Sequence, residues 1–227
     1  MTKKSIRKDW KLIESFVDDH SKILDIGCGE GELIQLLEYN KNADIRGMEI
    51  DKNLAIKAIS KGLSVVEGNA DFDLVQFSDQ SFDYVILSQT LQAMYNPRTV
   101  LNELLRIGAK AIVSFPNFGH WKIRLQLLIS GKMPVTEGIP YQWYETPNIH
   151  HFTIKDFQEM CKNLNIEIEK SIGLTSKGKQ FNLKNSLIRA NIITSEAIFL
   201  LTKKKYEPIK IKSKQKIFSN SSITVNQ

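Results

Sequence analysis

Three glycines fall within five positions, at Gly27, Gly29 and Gly31, between an apolar run and a run with helical spacing. Glycine tolerates positive φ and lets a ligand approach the backbone, so such a turn after a strand is typical of nucleotide sites. The spacing is G-x-G-x-G, whereas the dinucleotide fingerprint is G-x-G-x-x-G. Asp25 precedes the turn and Glu30 lies within it. The ligand therefore has to suit a negatively charged turn.

The acidic residues argue against a phosphate ligand, because a carboxylate about 4 Å from a phosphate oxygen costs roughly 4 kcal/mol at an effective dielectric near 20. S-adenosylmethionine carries a sulfonium and an ammonium against one carboxylate, and it has no phosphate. Glu49 ends a second apolar run, at the distance along the chain where an acid can accept ribose hydroxyls. Asp25, Gly27, Gly29 and Glu49 are therefore predicted to bind S-adenosylmethionine. The alternative is that residues 27–31 are only a tight connection.

Polar side chains near the ends of the fourth and fifth predicted strands are the candidates for chemistry. Methyl transfer from a sulfonium is a displacement, and a general base is needed only if the acceptor must lose a proton. The catalytic candidates are His120, Tyr144 and His150, and the other polar residues of these regions are Ser88, Gln89, Tyr141 and His151. Structural packing is the alternative for each. His150 and His151 are adjacent and have no third ligand at metal-site spacing, so we predict no metal site.

The elements that must position these residues alternate between strand and helix. Apolar runs predict strands at residues 22–27, 43–50, 63–69, 82–88 and 110–116, with helices at 31–41, 51–62 and 98–108. Asp51 is a plausible N-cap, and Gly62 and Gly108 are plausible helix stops. Alternation at this spacing predicts an open, doubly wound α/β domain with a mostly parallel sheet.

Residues 117–150 interrupt the alternation. A helix is predicted over 120–131, followed by a proline-punctuated loop that is longer than a compact domain usually keeps without a use. The large aromatic residues of this insert are Phe118, Trp121, Tyr141, Trp143 and Tyr144. They suit a pocket roof or a partner surface, where Trp and Tyr are favoured, or they belong to the ordinary core.

After the insert, a helix is predicted over 153–165 and strands over 166–174 and 195–203. No helix is evident between these two strands, which suggests an antiparallel pair at one edge of the sheet. The predicted domain therefore covers residues 1–204. Residues 205–227 are predicted to form a flexible basic tail.

Composition restricts the class of protein. The 227 residues have a net charge of +6, but seven lysines and one acid lie in residues 203–227, so the remainder is neutral. A neutral domain argues against a nucleic-acid partner. No apolar run is long enough to span a membrane, and no apolar segment follows the basic start as in a secretory signal. With only Cys28 and Cys161 as cysteines, we expect a reduced, cytoplasmic protein.

Two sets of motifs carry a family resemblance. The segments "ILDIGCGEGEL" and "GMEID" resemble the class I S-adenosylmethionine-dependent methyltransferases. The segments "SFDYVILSQTLQAM", "SFPNFGHWKIRLQL", "GKMPVT", "PYQWYETPNIH" and "TIKDFQEMC" together resemble the MetW family of methionine biosynthesis proteins. This resemblance implies a seven-stranded sheet with an antiparallel last strand and S-adenosylmethionine as the cofactor. It also implies a role with homoserine O-acyltransferase.

The resemblance also implies roles for single residues. Gly27 and Gly29 would pass the methionine end of the cofactor, Asp25 would meet its amino group, and Glu49 would hold the ribose. Ile50 would pack on the adenine. Asn69 stands where related enzymes usually have an acid for the adenine amino group, and its carbonyl oxygen can still accept a hydrogen bond. The predicted cofactor contacts are completed by Ala70 and Ser88.

Two functions fit these predictions. The first is a methyltransferase that acts on a small molecule. The second is a non-enzymatic accessory or regulatory subunit of the acyltransferase. Because no general base stands out among the candidates, both remain open.

Overall fold

A computed structural model describes residues 7–136 and 138–204. Its sheet contains eight strands in the order β3-β2-β1-β4-β5-β8-β6-β7. The strands are β1 (Lys22–Ile26), β2 (Asp44–Glu49), β3 (Val65–Glu67), β4 (Phe82–Ser88), β5 (Gly108–Pro116), β6 (Ile166–Leu174), β7 (Gln180–Asn182) and β8 (Glu196–Lys203). The first five are mutually parallel, and β8 runs antiparallel between β5 and β6. The predicted doubly wound sheet with an antiparallel last strand is confirmed.

The helices that cover this sheet are α1 (Lys8–Phe16), α2 (Glu32–Lys41), α3 (Lys52–Ser60), α4 (Pro97–Ile107), α5 (Trp121–Ser130), α6 (Ile154–Asn163) and α7 (Leu187–Ile193). Helix α3 begins as predicted, because the Asp51 carboxylate accepts the N–H groups of Asn53 and Leu54. Gly62 follows the helix with φ +85°, as a stop signal should. Gly108, by contrast, is extended and begins β5 directly after α4.

Strand β4 has buried apolar side chains on both faces of the sheet, so helices must pack on both faces. Its side chains alternate between two apolar clusters, with Val85 and Leu87 on one face and Tyr84 and Ile86 on the other. Helices α4, α6 and α7 contribute to the first cluster, and α1, α2 and α3 contribute to the second. Burial on both faces explains why the strands read as nearly continuous apolar runs.

The sheet differs from the prediction in two places. Strand β7 is an eighth strand, three residues long, that pairs antiparallel with β6 at the edge. Helix α7 joins β7 to β8, where no helix was expected. The antiparallel pairing of β6 and β8 is confirmed, but β8 lies inside the sheet and not at its edge.

Helix α5, the first part of the insert, is unusual because it buries only Ile123. The apolar side chains of Leu128 and Ile129 are 83% and 76% exposed. In residues 131–136 and 138–153 the backbone is irregular apart from a bridge between Thr136 and Ile139. The insert therefore presents an apolar helix face that the described part of the chain leaves uncovered.

Residues 205–227 lie outside the described residues, so the domain boundary at 204 and the basic tail remain predictions. Strand β8 ends at Lys203, next to that boundary. Within residues 7–136 and 138–204, no helix is long and apolar enough to cross a membrane.

Candidate functional site

The glycine turn joins β1 to α2 at the carboxyl edge of the parallel strands. Gly27, Gly29 and Gly31 have φ of +71°, +57° and +81°, a region that other residues rarely adopt. A Cβ at Gly27 would lie 2.8 Å from Oγ1 of Thr90, and a Cβ at Gly31 would lie 2.1 Å from Cδ1 of Leu63. Around the Cβ position of Gly29, no atom of the described residues other than Gly29 and its two chain neighbours lies within 4 Å. The turn therefore needs glycine twice for packing, and at Gly29 it leaves backbone open to a ligand.

Glu49 ends β2 directly beside this turn and is 6% exposed. Its Oε2 accepts the N–H of Gly29 at 2.7 Å, and its Oε1 accepts the N–H of Asp51 at 2.9 Å. Each carboxylate oxygen keeps a second lone pair, so the group can still accept two hydroxyl donors. The structure thus brings Glu49 and the glycine turn together.

Asp25 lies on β1 below the turn and is 1% exposed. Its Oδ1 is buried and has no hydrogen-bond partner among the described residues. The pKa of the Asp25 carboxyl is raised to about 7 as the net effect of burial, which is the largest cause and raises it, of the Arg7 guanidinium, which lowers it, and of the Glu49 carboxylate, which raises it. A buried acid with an unsatisfied oxygen favours a cationic hydrogen-bond donor as its partner.

Arg7 and Asp9, at the start of α1, lie against the ends of β4 and β5. The Arg7 guanidinium donates to both carboxylate oxygens of Asp9, at 3.1 and 2.6 Å, and also to Oγ of Ser88 at 3.0 Å. Oγ of Ser88 and Oγ of Ser114 each donate to Asp9 at 3.1 Å. The predicted cofactor residue Ser88 is therefore engaged in a buried polar cluster. Sequence reasoning missed Arg7 and Asp9, because no local pattern links them to serines about 80 and 105 positions away.

The predicted adenine side lies where β2 and β3 end. Ile50 is 64% exposed, so its side chain is available to pack on a ring, whereas Ala70 is buried in the core. Oδ1 of Asn69 accepts the N–H of Asp71 at 2.9 Å. The Asp71 carboxylate accepts the N–H groups of Tyr95 and Asn96, at 3.0 and 2.9 Å. Asp71 thus holds two loops together. Asn69 follows Gly68, whose N–H donates to the Glu49 carbonyl at 2.9 Å, so Asn69 comes shortly after the paired ends of β2 and β3.

Unsatisfied polar atoms gather after β4. Gln89 has φ +56°, and its Nε2 is buried without a partner among the described residues. Gln92 donates from Nε2 to the Gln89 carbonyl at 2.7 Å, while its Oε1 is buried and unpartnered within the described chain. The Gln92 carbonyl accepts the N–H groups of Ile149 and His150, whose Nε2 is a third such atom. A positive φ at a residue other than glycine and buried polar atoms without a partner are both features that concentrate at functional sites.

His120 precedes α5 and is 6% exposed. Its Nδ1 accepts the N–H of Lys122 at 3.4 Å, and the side chain lines a cavity of about 300 Å³. Burial, followed by the nearby Lys122 charge, lowers the pKa of the imidazole. His120 is therefore neutral near pH 7.

Asn117 is a residue whose role the sequence did not indicate. Its side chain is fully buried, and Nδ2 donates to the carbonyls of Asn191 and Thr194 at 2.9 and 2.8 Å. Its Oδ1 accepts the N–H groups of Gly119 and Ile154 at 3.0 and 3.3 Å. One side chain thus ties the start of the insert to α6 and α7. In the sequence, the only sign of this role is that a polar residue, Asn117, directly follows an apolar strand in "SFPNFGH".

Tyr144, the third catalytic candidate, is 67% exposed, and its ring stands edge-on to that of Trp143, 5.6 Å between centroids. Tyr141 is about half exposed. His151 is exposed and packs on Phe118. The structure therefore sets His120 and His150 into the protein and leaves Tyr144 on the surface. Among the described residues, no three His, Cys, Asp or Glu side chains lie together as a metal site.

Comparison with known families decides the relationship. Residues 7–201 match the family model described as Methionine biosynthesis protein MetW. The chain belongs to the MetW family. A bifunctional methionine biosynthesis protein MetXA/MetW from Rhodopirellula baltica is 31% identical in an alignment 177 residues long, which covers 74% of this chain. The match covers 28% of that relative, so this MetW chain corresponds to a small part of the longer protein.

Solved structures share the fold of this MetW chain at low identity. A SAM-dependent methyltransferase from Thermotoga maritima superposes with a TM-score of 0.63 at 17% identity, covering 87% of this chain and 88% of that one. A TehB-like SAM-dependent methyltransferase from Corynebacterium glutamicum gives 0.58 at 19% identity, with 88% and 89% covered. The [4+2]-cyclase SpnF gives 0.60 at 15% identity, with 86% and 80% covered. The fold is thus that of class I methyltransferases, and it also carries another chemistry.

Proposed function

We propose that this MetW protein binds S-adenosylmethionine at the glycine turn and transfers its methyl group to a small molecule in methionine biosynthesis. The observation that carries the proposal is Asp25, a buried acid with an unpaired oxygen directly below the turn. An ammonium group there would pair with the carboxylate and remove the cost of burying it. A phosphate there would instead be repelled.

The residues around the turn fit the rest of the cofactor. Backbone at Gly29 is open to a ligand, and the Glu49 carboxylate keeps lone pairs for two ribose hydroxyls. Ile50 is exposed directly after β2, and Asn69 follows the end of β3, the strand that pairs with β2. S-adenosylmethionine would supply an electrophilic methyl group on a sulfonium. The protein's part is to bind the cofactor, align the acceptor and keep water out of the site.

A second function is favoured by the surface of helix α5. Trp121, Leu128 and Ile129 are 45%, 83% and 76% exposed, on a helix that buries one apolar side chain. Contiguous exposed apolar surface marks interaction sites. The Rhodopirellula relative joins MetXA and MetW in one chain. We therefore propose that this protein associates with a homoserine O-acyltransferase in the cytoplasm, through part of residues 118–144. As an accessory subunit it would act without turnover.

Calorimetry with S-adenosylmethionine tests the first function. We expect saturable binding, and preferential binding of NAD would contradict the assignment of the turn. Turnover is tested by incubating the protein with methyl-labelled S-adenosylmethionine and a cell extract. A labelled small molecule supports the methyltransferase. Binding without any labelled product favours the accessory subunit.

A further inference from the structure

The cavity beside His120 lies on the same edge of the sheet as the glycine turn. Strand β5 reaches this edge at Pro116, which pairs with Glu196, the first residue of β8. Pro116, His120 and Ser195 line the cavity of about 300 Å³. In the sheet β5 is two strands from β1, so the cavity lies about 10 Å to the side of the turn. The cavity is separate from the predicted cofactor contacts.

The His120 imidazole presents a hydrogen-bond donor to this cavity. Nδ1 accepts the N–H of Lys122, so in the neutral ring the proton is on Nε2. Nε2 makes no hydrogen bond within the described part of the chain and is not fully buried, so it is accessible from the cavity or from solvent, although the residue is only 6% exposed. A donor nitrogen without a protein partner favours an oxygen of a ligand. The same tautomer argues against Nε2 as a general base, because that nitrogen already carries its proton.

Besides His120, the polar residues of the wall are the amides Asn117 and Gln126, the hydroxyl residues Thr136, Ser176 and Ser195, and Lys122. Lys122 is an exposed residue of the same wall, and its ammonium lies 5.8 Å from the ring centroid of Trp121. The ammonium of Lys8 donates to the carbonyl of Ser176. This combination of donors and positive charge suits a carboxylate.

The rest of the wall is apolar. Ile123, Val135 and Ile139 line the cavity, and Ile123 and Ile139 are buried. A ligand that fits both parts of the wall has a carboxylate and a short hydrocarbon chain. The volume lies at the lower end of the range for small-molecule sites, which suits a molecule of amino-acid size.

We propose that this cavity binds a small carboxylic acid with a short apolar chain. Nε2–H of His120 and the Lys122 ammonium hold the carboxylate, and Ile123, Val135 and Ile139 contact the chain. A role of this acid as the methyl acceptor rests on the proposed function. The binding itself does not require S-adenosylmethionine.

The probe is 4-methylpentanoate, with the matching amide 4-methylpentanamide as the uncharged comparison. Nuclear magnetic resonance of the full chain labelled at histidine follows the His120 ring signals, which are assigned by their loss in His120→Gln. We expect saturable shifts with 4-methylpentanoate at millimolar concentration, and the amide should bind at least about tenfold more weakly. Lys122→Met should weaken binding about fivefold or more, because a charged hydrogen bond is lost.

Lys132→Met is the matched control, since Lys132 is exposed shortly after the same helix and does not line the cavity. It should bind the carboxylate like the wild type, and thermal melting should show that both lysine variants are folded. Equal binding of acid and amide would overturn the proposal, as would an unchanged affinity in Lys122→Met or no saturable shift up to ~50 mM. Carboxylate binding in a protein that fails to bind S-adenosylmethionine would uphold the cavity and overturn only the acceptor role.

Discussion

Oε2 of Glu49 accepts the backbone N–H of Gly29 at 2.7 Å. Glu49, the acid predicted to bind the ribose, therefore also stabilises the glycine turn, which is predicted to lie against the methionine end of S-adenosylmethionine. The two halves of the predicted cofactor site are joined by this hydrogen bond, and a change at Glu49 reaches both of them.

Glu49→Ala should weaken S-adenosylmethionine binding by one to two orders of magnitude or so, because a charged acceptor for two hydroxyls is lost. The melting temperature should fall by only a few degrees, since two hydrogen bonds at a strand end are removed. Isothermal calorimetry measures the first effect and calorimetric melting the second. Glu67→Ala, at the exposed end of β3, is the control and should change neither. Unchanged affinity in Glu49→Ala would contradict the ribose assignment.

Asp25 makes the stability of the ligand-free protein depend on pH. Its folded pKa, about 7, lies above the ordinary value, so the folded state keeps a proton that the unfolded chain has lost. The contribution of Asp25 to the free energy of unfolding is therefore fully present below about pH 4 and is lost as the pH rises through about 7, by up to about 4 kcal/mol. Asp25→Asn removes this loss and should raise the melting temperature at pH 8 by about 5 °C or more. The difference between the two proteins across pH isolates Asp25, and parallel profiles would contradict its burial as an acid.

Binding should show the opposite trend. To pair with an ammonium, Asp25 must first lose its proton, so the affinity of the wild type should rise up to about tenfold per pH unit between pH 5 and 7 and then level off. Asp25→Asn should bind at least about tenfold more weakly at pH 7.5 and show a flat profile. Fluorescence titration at each pH measures both. A wild-type profile as flat as that of the variant would place the ammonium elsewhere.

Asn117→Ala should destabilise the protein by about 3–5 kcal/mol, because two carbonyls and two N–H groups lose their buried partner. Urea unfolding at equilibrium gives the change from the shift in midpoint. Asn185→Ala is the control, since Asn185 is exposed and no side-chain hydrogen bond joins it to the described chain. It should stay within about 0.5 kcal/mol of the wild type. A similarly small effect of Asn117→Ala would mean that water replaces the side chain.

Trp121→Ala and Trp143→Ala should weaken co-purification with a homoserine O-acyltransferase by about tenfold or more, because exposed aromatic side chains commonly dominate interfaces. S-adenosylmethionine binding should stay intact, since the predicted contacts lie elsewhere. Ile188→Ala is the control, because Ile188 is 77% exposed on α7, outside the insert. If both tryptophan variants keep the partner but lose turnover, the aromatic residues cover an active site. No association of the wild type at micromolar concentration would end the partner proposal.

Most of the sheet could be predicted because its strands are buried on both faces. Strand β4 has a strong apolar run, and the structure gives it the bounds that the sequence indicated. Strand β6 is only partly buried, and the alternation of apolar and polar residues at its start was enough to predict its bounds. Strand β7 has three residues, of which Gln180 and Asn182 are exposed, so no apolar alternation marks it. Helix α7 spans seven residues, which is too short for a clear helical period. Elements of this length depend on their tertiary neighbours.

The parts of the candidate site that depend on local backbone conformation could be predicted from the sequence. The positive φ values of the glycine turn follow from the glycines themselves, and Glu49 follows from its place at a strand end. The hydrogen bonds of Asn117 and the cluster of Asp9 with Ser88 join residues far apart in the chain. Their geometry depends on packing, which a single sequence does not display. Which residues touch the cofactor stays a prediction.

The antiparallel direction of β8 decides where the chain leaves the sheet. Thr202 pairs with Lys110 near the start of β5, and Lys203 pairs with Ile166 at the start of β6. Lys204 therefore lies at the edge opposite the glycine turn, about 30 Å away along a strand of nine residues. A dye or a sensor-chip tether coupled through a cysteine placed at Lys204 would leave the turn facing solution. Both native cysteines are buried, so the new thiol would react first.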